Sequence, residues 1–266
     1  MPVDIKSITQ LRAMTGAGMG DCKAALEEAG GDMDKAVEIM RKKGVMKAAK
    51  KADRTTKEGV IALAKGEGKV AAVGLACETD FVALSEGFIT AVNELAAELL
   101  ASKKTEQFQA LAEEKIKNEL VVRIGENLVL AVNQVIAGPV IGTYLHSNKK
   151  IAAVVVLNAG PAELANNLAM QVAAMAPKYV KPEDVPEEEK KKEKEIYRQQ
   201  LKNEGKAEAM WDKIIEGKLA KYYTDVCLLK QAYIKDDKVV IEKLIKEAGD
   251  QAKEKIEVVA LYRFAI

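Results

Sequence analysis

The chain has few of the residues that usually carry chemistry. It has one histidine, His146, and three cysteines, Cys22, Cys77 and Cys227, which lie far apart with no C-x-x-C pair. One imidazole and scattered thiols cannot supply the clustered ligands of a zinc site. They read instead as reduced residues of a cytosolic protein. No Ser–His or Cys–His motif surrounds His146, so nucleophilic catalysis has no starting point. An excess of one charge is also missing: 41 Lys and Arg against 40 Asp and Glu leave a net charge of +1. A nonspecific nucleic-acid binder would be basic overall, so no nucleic-acid partner is expected. No run approaches the roughly 20 apolar residues of a membrane span. Met1-Pro2-Val3-Asp4-Ile5-Lys6 has neither an apolar signal core nor transit-peptide character. These absences predict a soluble cytoplasmic protein with no membrane contact. Aromatics are only 5% of a chain that is 48% hydrophobic, so the core must be aliphatic and rich in alanine.

What is present is a regular alternation of helical and strand patterns. In residues 4–43, three apolar stripes predict three short helices. They are Ile5/Ile8/Leu11, then Cys22/Ala25/Leu26/Ala29, then Met33/Ala36/Val37/Met40, with Asp32 as the last N-cap and Gly44 as its stop. Lys47–Arg54 reads as a basic, solvated linker that starts helical. Gly59–Ala64 and Lys69–Ala76 flank Gly66-Glu67-Gly68, a hairpin signal. That glycine pair lacks the Lys-Ser/Thr of a phosphate loop and precedes a strand, so no direct nucleotide binding is expected. Helices over about 85–101 and 105–122 and a strand over 128–136 complete the unit. The plan then recurs: a hairpin over 142–157, a helix over 161–176, a helix from Val239 to Ala248 and a strand over 256–264. Lys69-Val70-Ala71-Ala72-Val73 aligns with Lys150-Ile151-Ala152-Ala153-Val154. The expected fold is therefore α+β: a three-helix bundle, then a duplicated core of hairpin, helices and antiparallel closing strand. Between Lys181 and Asp225 an acid-then-base helix and a Trp211/Ile214/Ile215/Leu219/Tyr222 stripe predict an inserted helical hairpin. Carboxylate pairs abound, but none sits in a catalytic frame, and no cofactor or metal is expected.

One stretch stands out. Cys77-Glu78-Thr79-Asp80-Phe81-Val82-Ala83 joins a buried strand to a helix capped by Ser85. Leu84 and Ile89 fill the positions of a hydrophobic staple around Ser85, which leaves Phe81 unassigned. An aromatic beside a carboxylate at a loop tip fits either local packing or binding.

The same stretch resembles the TDFV loop of the elongation factor Ts family. Three further motifs match in order: Leu11-Arg12-x-x-Thr15-Gly16-Ala17-Gly18-Met19-x-Asp21-Cys22-Lys23-x-Ala25-Leu26, then Ile124-Gly125-Glu126-Asn127, then Lys181-Pro182-Glu183-Asp184-Val185. The resemblance spans nearly the whole chain. It implies a ubiquitin-associated-like (UBA-like) bundle and linker over 1–54, a core N-subdomain over 55–140 and a core C-subdomain over 141–266. A coiled-coil-like hairpin is inserted at 182–225 and is linked in some members to homodimers. It also implies a guanine-nucleotide exchange factor, with no bond chemistry, that binds GDP-bound elongation factor Tu, dislodges Mg²⁺ and promotes GDP release. Thr79, Asp80, Phe81 and Val82 would carry that action. Arg12, Met19, Gly20, Asp21 and His146 would be secondary contacts; from the residues alone Met19 reads equally as closing its bundle, and His146 as a satisfied hairpin-end residue. Longer members continue into a helical C-terminal module. This sequence ends at Phe264-Ala265-Ile266, so that contact is not expected. Two other readings are a passive scaffold docked at Asp80-Phe81 and an RNA-associated protein using Lys47–Arg54 and the lysines near 190. The balanced charge speaks against the second.

Overall fold

The computed structural model describes residues 3–266, and for residues 45–50 the backbone alone. The architecture is α+β, and the chain divides into two compact units. One takes in the chain up to Ile136 with Ser147–Ile151 and Phe264–Ile266. The other holds Ala137–His146 and Ala152–Arg263.

The first unit opens with α1 (Ile5–Thr15), α2 (Met19–Glu28) and α3 (Met33–Lys51). Asp4 caps α1 by accepting from the Ser7 amide, and Gly16 ends it in the left-handed conformation at φ 68°. Ile8, Leu11, Cys22, Ala25, Leu26, Ala36 and Met40 form the small core. Gly44 does not stop α3. A Cβ there would overlap the Val122 side chain and sit 3.1 Å from the Asn118 carbonyl. The glycine serves a close approach of two helices, and the helix runs on to Lys51. The side chains of Lys47–Lys50, expected to make the linker basic, lie outside the described residues.

β1 (Glu58–Gly66) pairs antiparallel with β2 (Lys69–Cys77) in register from Glu58↔Cys77 to Gly66↔Lys69. Gly68 makes the tight turn at φ 62°. Then come α4 (Asp80–Leu84), α5 (Glu86–Ala101) and α6 (Thr105–Lys115). A π-helical turn (Ile116–Leu120), α7 (Val121–Ile124) and β3 (Val129–Ala137) follow, and β3 lies beside β2 in the sheet. The same-face residues Ala71, Val73, Leu75 and Cys77 pack on Phe88, Val92, Leu95 and Leu99 of α5. Phe88 is wholly buried, a position where truncation to Ala costs about 3–5 kcal/mol. This packed layer is the rigid base of the site described below.

In the second unit β4 (Val140–Leu145) and β5 (Ile151–Leu157) pair antiparallel, and β8 (Val258–Ala265) joins β5. α8 (Ala162–Met175) lies on β4, where Gly142 leaves room for the Ala165 backbone. α9 (Glu187–Asn203) and α10 (Trp211–Val226) form the inserted helical hairpin around Leu201, Ile215 and Leu219. Ile196 of α9 lies outside that seam and is exposed. A short hairpin that the pattern did not predict, β6 (Ala232–Tyr233) and β7 (Asp236–Val240), precedes α11 (Ile241–Ala252). Val239 and Val240 therefore end a strand rather than open the last helix. The buried Gln171 of α8 fixes β6: its amide donates to the Ala232 carbonyl at 3.0 Å and its carbonyl accepts from Ile234 at 2.9 Å.

Candidate functional site

The strand-to-helix connection after Cys77 is a built turn rather than a loose loop. Cys77 is buried, and its thiol donates to the Thr79 carbonyl at 3.3 Å. Burial, with the negative charges of Glu126 and Glu58 nearby, pushes that thiol up to about 11. It is a packing residue and not a reactive one. Thr79 stays extended at φ −124°, and its hydroxyl accepts from the Val82 amide at 3.4 Å, a helix N-cap. α4 is the single turn that follows. Ser85 then closes α4 through its amide and hydroxyl on the Val82 carbonyl, and caps α5 by accepting from the Phe88 amide.

A one-turn helix has an inner and an outer face. Ala83 is buried, and Val82 packs against the core of the sheet and α5. On the outer face Phe81 is 84% exposed and Leu84 73%. The expected staple is therefore not formed, because Leu84 faces solvent instead of covering α5. Val82, on the inner face, anchors the turn. Residues three apart on a helix share a face, so Phe81 and Leu84 form one small apolar platform. Asp80 is exposed beside it, and its carboxylate accepts from the Phe81 amide at 2.9 Å. A capped turn thus holds two large apolar side chains out in solvent.

A second segment holds this turn in place. Glu126 follows Gly125, the left-handed C-cap of α7 at φ 85°. One oxygen of its carboxylate accepts from the Glu78 and Thr79 amides at 2.9 and 3.1 Å, and the other accepts from the Thr79 hydroxyl at 2.5 Å. The Glu78 carboxylate in turn accepts from the Asn127 amide at 2.7 Å. That bond, with Arg54 at 3.4 Å, holds the Glu78 carboxyl below its ordinary value. Sequence reasoning matched Ile124-Gly125-Glu126-Asn127 as a motif but gave it no role. A carboxylate directly after a helix-ending glycine and before a strand was the available signal.

The remaining predicted residues fall elsewhere. Arg12 lies in the last turn of α1; Met19, Gly20 and Asp21 open α2. All four are exposed, with Met19 at 40%, on the two helices that flank the α1–α2 corner, and Met19 does not fill its bundle's core. His146 lies in the second unit, partly buried, with its ring edge-on to Tyr144 at 6.2 Å. Among the described residues, no three His, Cys, Asp or Glu side chains are grouped to hold a metal ion. Nor is any helix long and apolar enough to cross a membrane.

Comparison with known proteins gives the chain's family. The sequence profile of the family described as Elongation factor TS matches residues 78–266. The chain belongs to the elongation factor Ts family. The family match begins at Glu78 and so takes in both the α4 turn and the Glu126 segment. Curated elongation factor Ts proteins extend the similarity over the N-terminal helices. That of Psychromonas ingrahamii is 44% identical over 93% of this chain and 87% of its own length. That of a Hydrogenobaculum species is 42% identical over 92% and 94%. That of Hahella chejuensis is 39% identical over 99% and 92%. Membership places the chain among the translation elongation factors of protein biosynthesis.

Proposed function

We propose that the chain is a guanine-nucleotide exchange factor that binds GDP-bound elongation factor Tu, dislodges its Mg²⁺ and promotes release of GDP. It makes and breaks no covalent bond and uses no cofactor. The observation that carries this reading is Phe81, held almost fully exposed on a capped turn over a rigid sheet–helix base. GDP on such a GTPase is gripped by backbone N–H groups, a lysine and a Mg²⁺ ion bridging the phosphates. An aromatic entering an apolar slot between two of the partner's helices displaces the elements that set this grip. Asp80, one residue before Phe81, competes for polar partners near the metal. Thr79 and Val82 hold the turn through its cap and its inner face. Binding and nucleotide affinity are reciprocally coupled, so GDP weakens the complex as much as the complex weakens GDP.

Around this centre the N-terminal residues 1–54 act as a UBA-like domain and linker. Residues 55–140 and 141–266 are the two core subdomains, with the hairpin at 182–225 available for pairing two copies. Arg12, Met19, Gly20 and Asp21 on the α1–α2 corner, and His146, add contacts to the GTPase. The action takes place in the cytoplasm. The test is release of fluorescent GDP from elongation factor Tu with catalytic amounts of this protein. Strong acceleration at substoichiometric dose is expected. Binding without acceleration would leave only a passive scaffold docked at Asp80-Phe81.

A further inference from the structure

We infer that Glu126 is a positioning residue: its carboxylate holds the strand-to-helix turn so that α4 presents Asp80 and Phe81 in one fixed direction. The inference rests on the function proposed above for that turn. Left to itself, α4 cannot be rigid. A helix of five residues has almost no intrinsic stability, because nucleation costs more than so few hydrogen bonds return. What makes it persist is the cap at Thr79 and the anchors at Val82 and Ala83. The cap residue is itself held by Glu126, which receives three of the turn's protons: two from main-chain amides and one from the Thr79 hydroxyl. The hydroxyl proton matters most. With it committed to Glu126, the Thr79 oxygen keeps its lone pairs for the Val82 amide, which is the capping bond.

The clasp is double and anchored. Glu78, one residue before Thr79, accepts from the Asn127 amide, one residue after Glu126. The Asn127 side-chain amide donates to the Ala52 and Arg54 carbonyls at 3.3 and 2.9 Å, and the Lys51 ammonium donates to the Gly125 carbonyl. The turn that carries Phe81 is thus tied through two carboxylates to the chain leaving α3. Bonds to ionised acceptors are the stronger kind, so a neutral replacement at Glu126 should loosen the turn without emptying any core position.

Amide hydrogen exchange on the free full-length protein tests this without a partner. Glu126→Ala should speed exchange at Val82 and Ala83 by about tenfold or more while the Leu95 and Leu99 amides of α5 stay as in wild type. Glu126→Gln keeps one oxygen acceptor and should fall between the two. It also serves as the readout if the alanine variant folds poorly. Unchanged protection at Val82 and Ala83, or equal loss in α5, overturns the positioning role. GDP release then links the clasp to Phe81: Glu126→Ala should lower the maximal rate about tenfold in the wild-type background and less than about twofold in Phe81→Ala, the non-additivity of residues acting through one feature. Equal loss in both backgrounds also overturns it. If the wild-type protein fails to speed release at all, the exchange function falls, and hydrogen exchange still decides the clasp.

Discussion

The two halves of the core solve the same problem differently. In each, a buried hairpin strand must hand over to the helix that covers its sheet. After β5 the handover takes residues 158–161 and runs directly into α8. Asn158 ties it down: its side chain donates to the Lys255 carbonyl and accepts from the Glu257 amide, both just before the closing strand β8. Gly160, at φ 101°, brings the backbone against Ile256, and Pro161 starts the helix. After β2 the handover takes residues 78–85. It too is tied to the segment before its closing strand, but by Glu126 and Asn127, and its extra length is one helical turn with Phe81 and Leu84 facing out. The second half shows what the fold alone requires. What the first half adds is the part proposed above to meet the partner.

If that subtraction is right, Phe81→Ala should be the most damaging change for function and among the mildest for stability. A side chain that is 84% exposed contributes under about 0.5 kcal/mol to folding. As the centre of a docking surface it can be worth about 2 kcal/mol or more in binding. The expected result is loss of most acceleration of GDP release with an unchanged thermal midpoint. Release at the wild-type rate would mean that the added turn is not the working part. Gly160→Ala is the converse probe. The residue sits where a side chain is strained, and its Cβ would come within 2.6 Å of the Ile256 side chain. It should cost about 1–3 kcal/mol of stability, visible as a lower thermal midpoint. GDP release per folded molecule should stay as in wild type. A selective loss of release at full stability would place function in the second turn as well.

The sequence made the repeated hairpins legible because Val, Ile and Ala runs flanking a glycine turn have few other readings. It made Ser85 and Asp32 legible as caps for the same reason: short polar side chains just ahead of apolar stripes. It misled where a residue serves a long-range contact. Gly44 resembles a helix stop, and only its neighbours Val122 and Asn118 show why a helix needs glycine there. Leu84 has the spacing of a staple, but spacing cannot say that the chain between it and Phe81 folds as a helical turn and swings it outward. β6 and β7 were missed because Lys235-Asp236-Asp237-Lys238 gives no alternation to read; the buried Gln171, far off in sequence, orders them. Within the site, Phe81 was legible by its oddness and Glu126 only as part of a motif, because a glutamate after a helix-ending glycine shows its role only when its three donors are seen.

The smallest expected effect separates the two clasps by chemistry. The first is built on carboxylate acceptors and the second on the uncharged amide of Asn158 and main-chain carbonyls, so acid should protonate the acceptors of the first and not those of the second. Glu78 has its carboxyl held below the ordinary value of 4.5, chiefly by the Asn127 amide and then by Arg54. For a group lowered on folding, the stabilisation is complete above the unfolded value and is lost as pH falls through the folded one. The Asn127 amide resonance should therefore move as the solution is taken from pH 6 to below 4.5, and the loss should complete at a still lower pH. The Asn158 main-chain amide, which donates to the Glu257 main-chain carbonyl at 3.1 Å, has no titrating acceptor and should move less than that of Asn127, by no more than the remote Glu257 carboxyl, itself held low by Lys255, imposes. If both resonances move together, the change is global and the turns are not distinguished by their acceptors. If neither moves, Glu78 is not the acceptor of the Asn127 amide in solution, and the first turn is held by Glu126 alone.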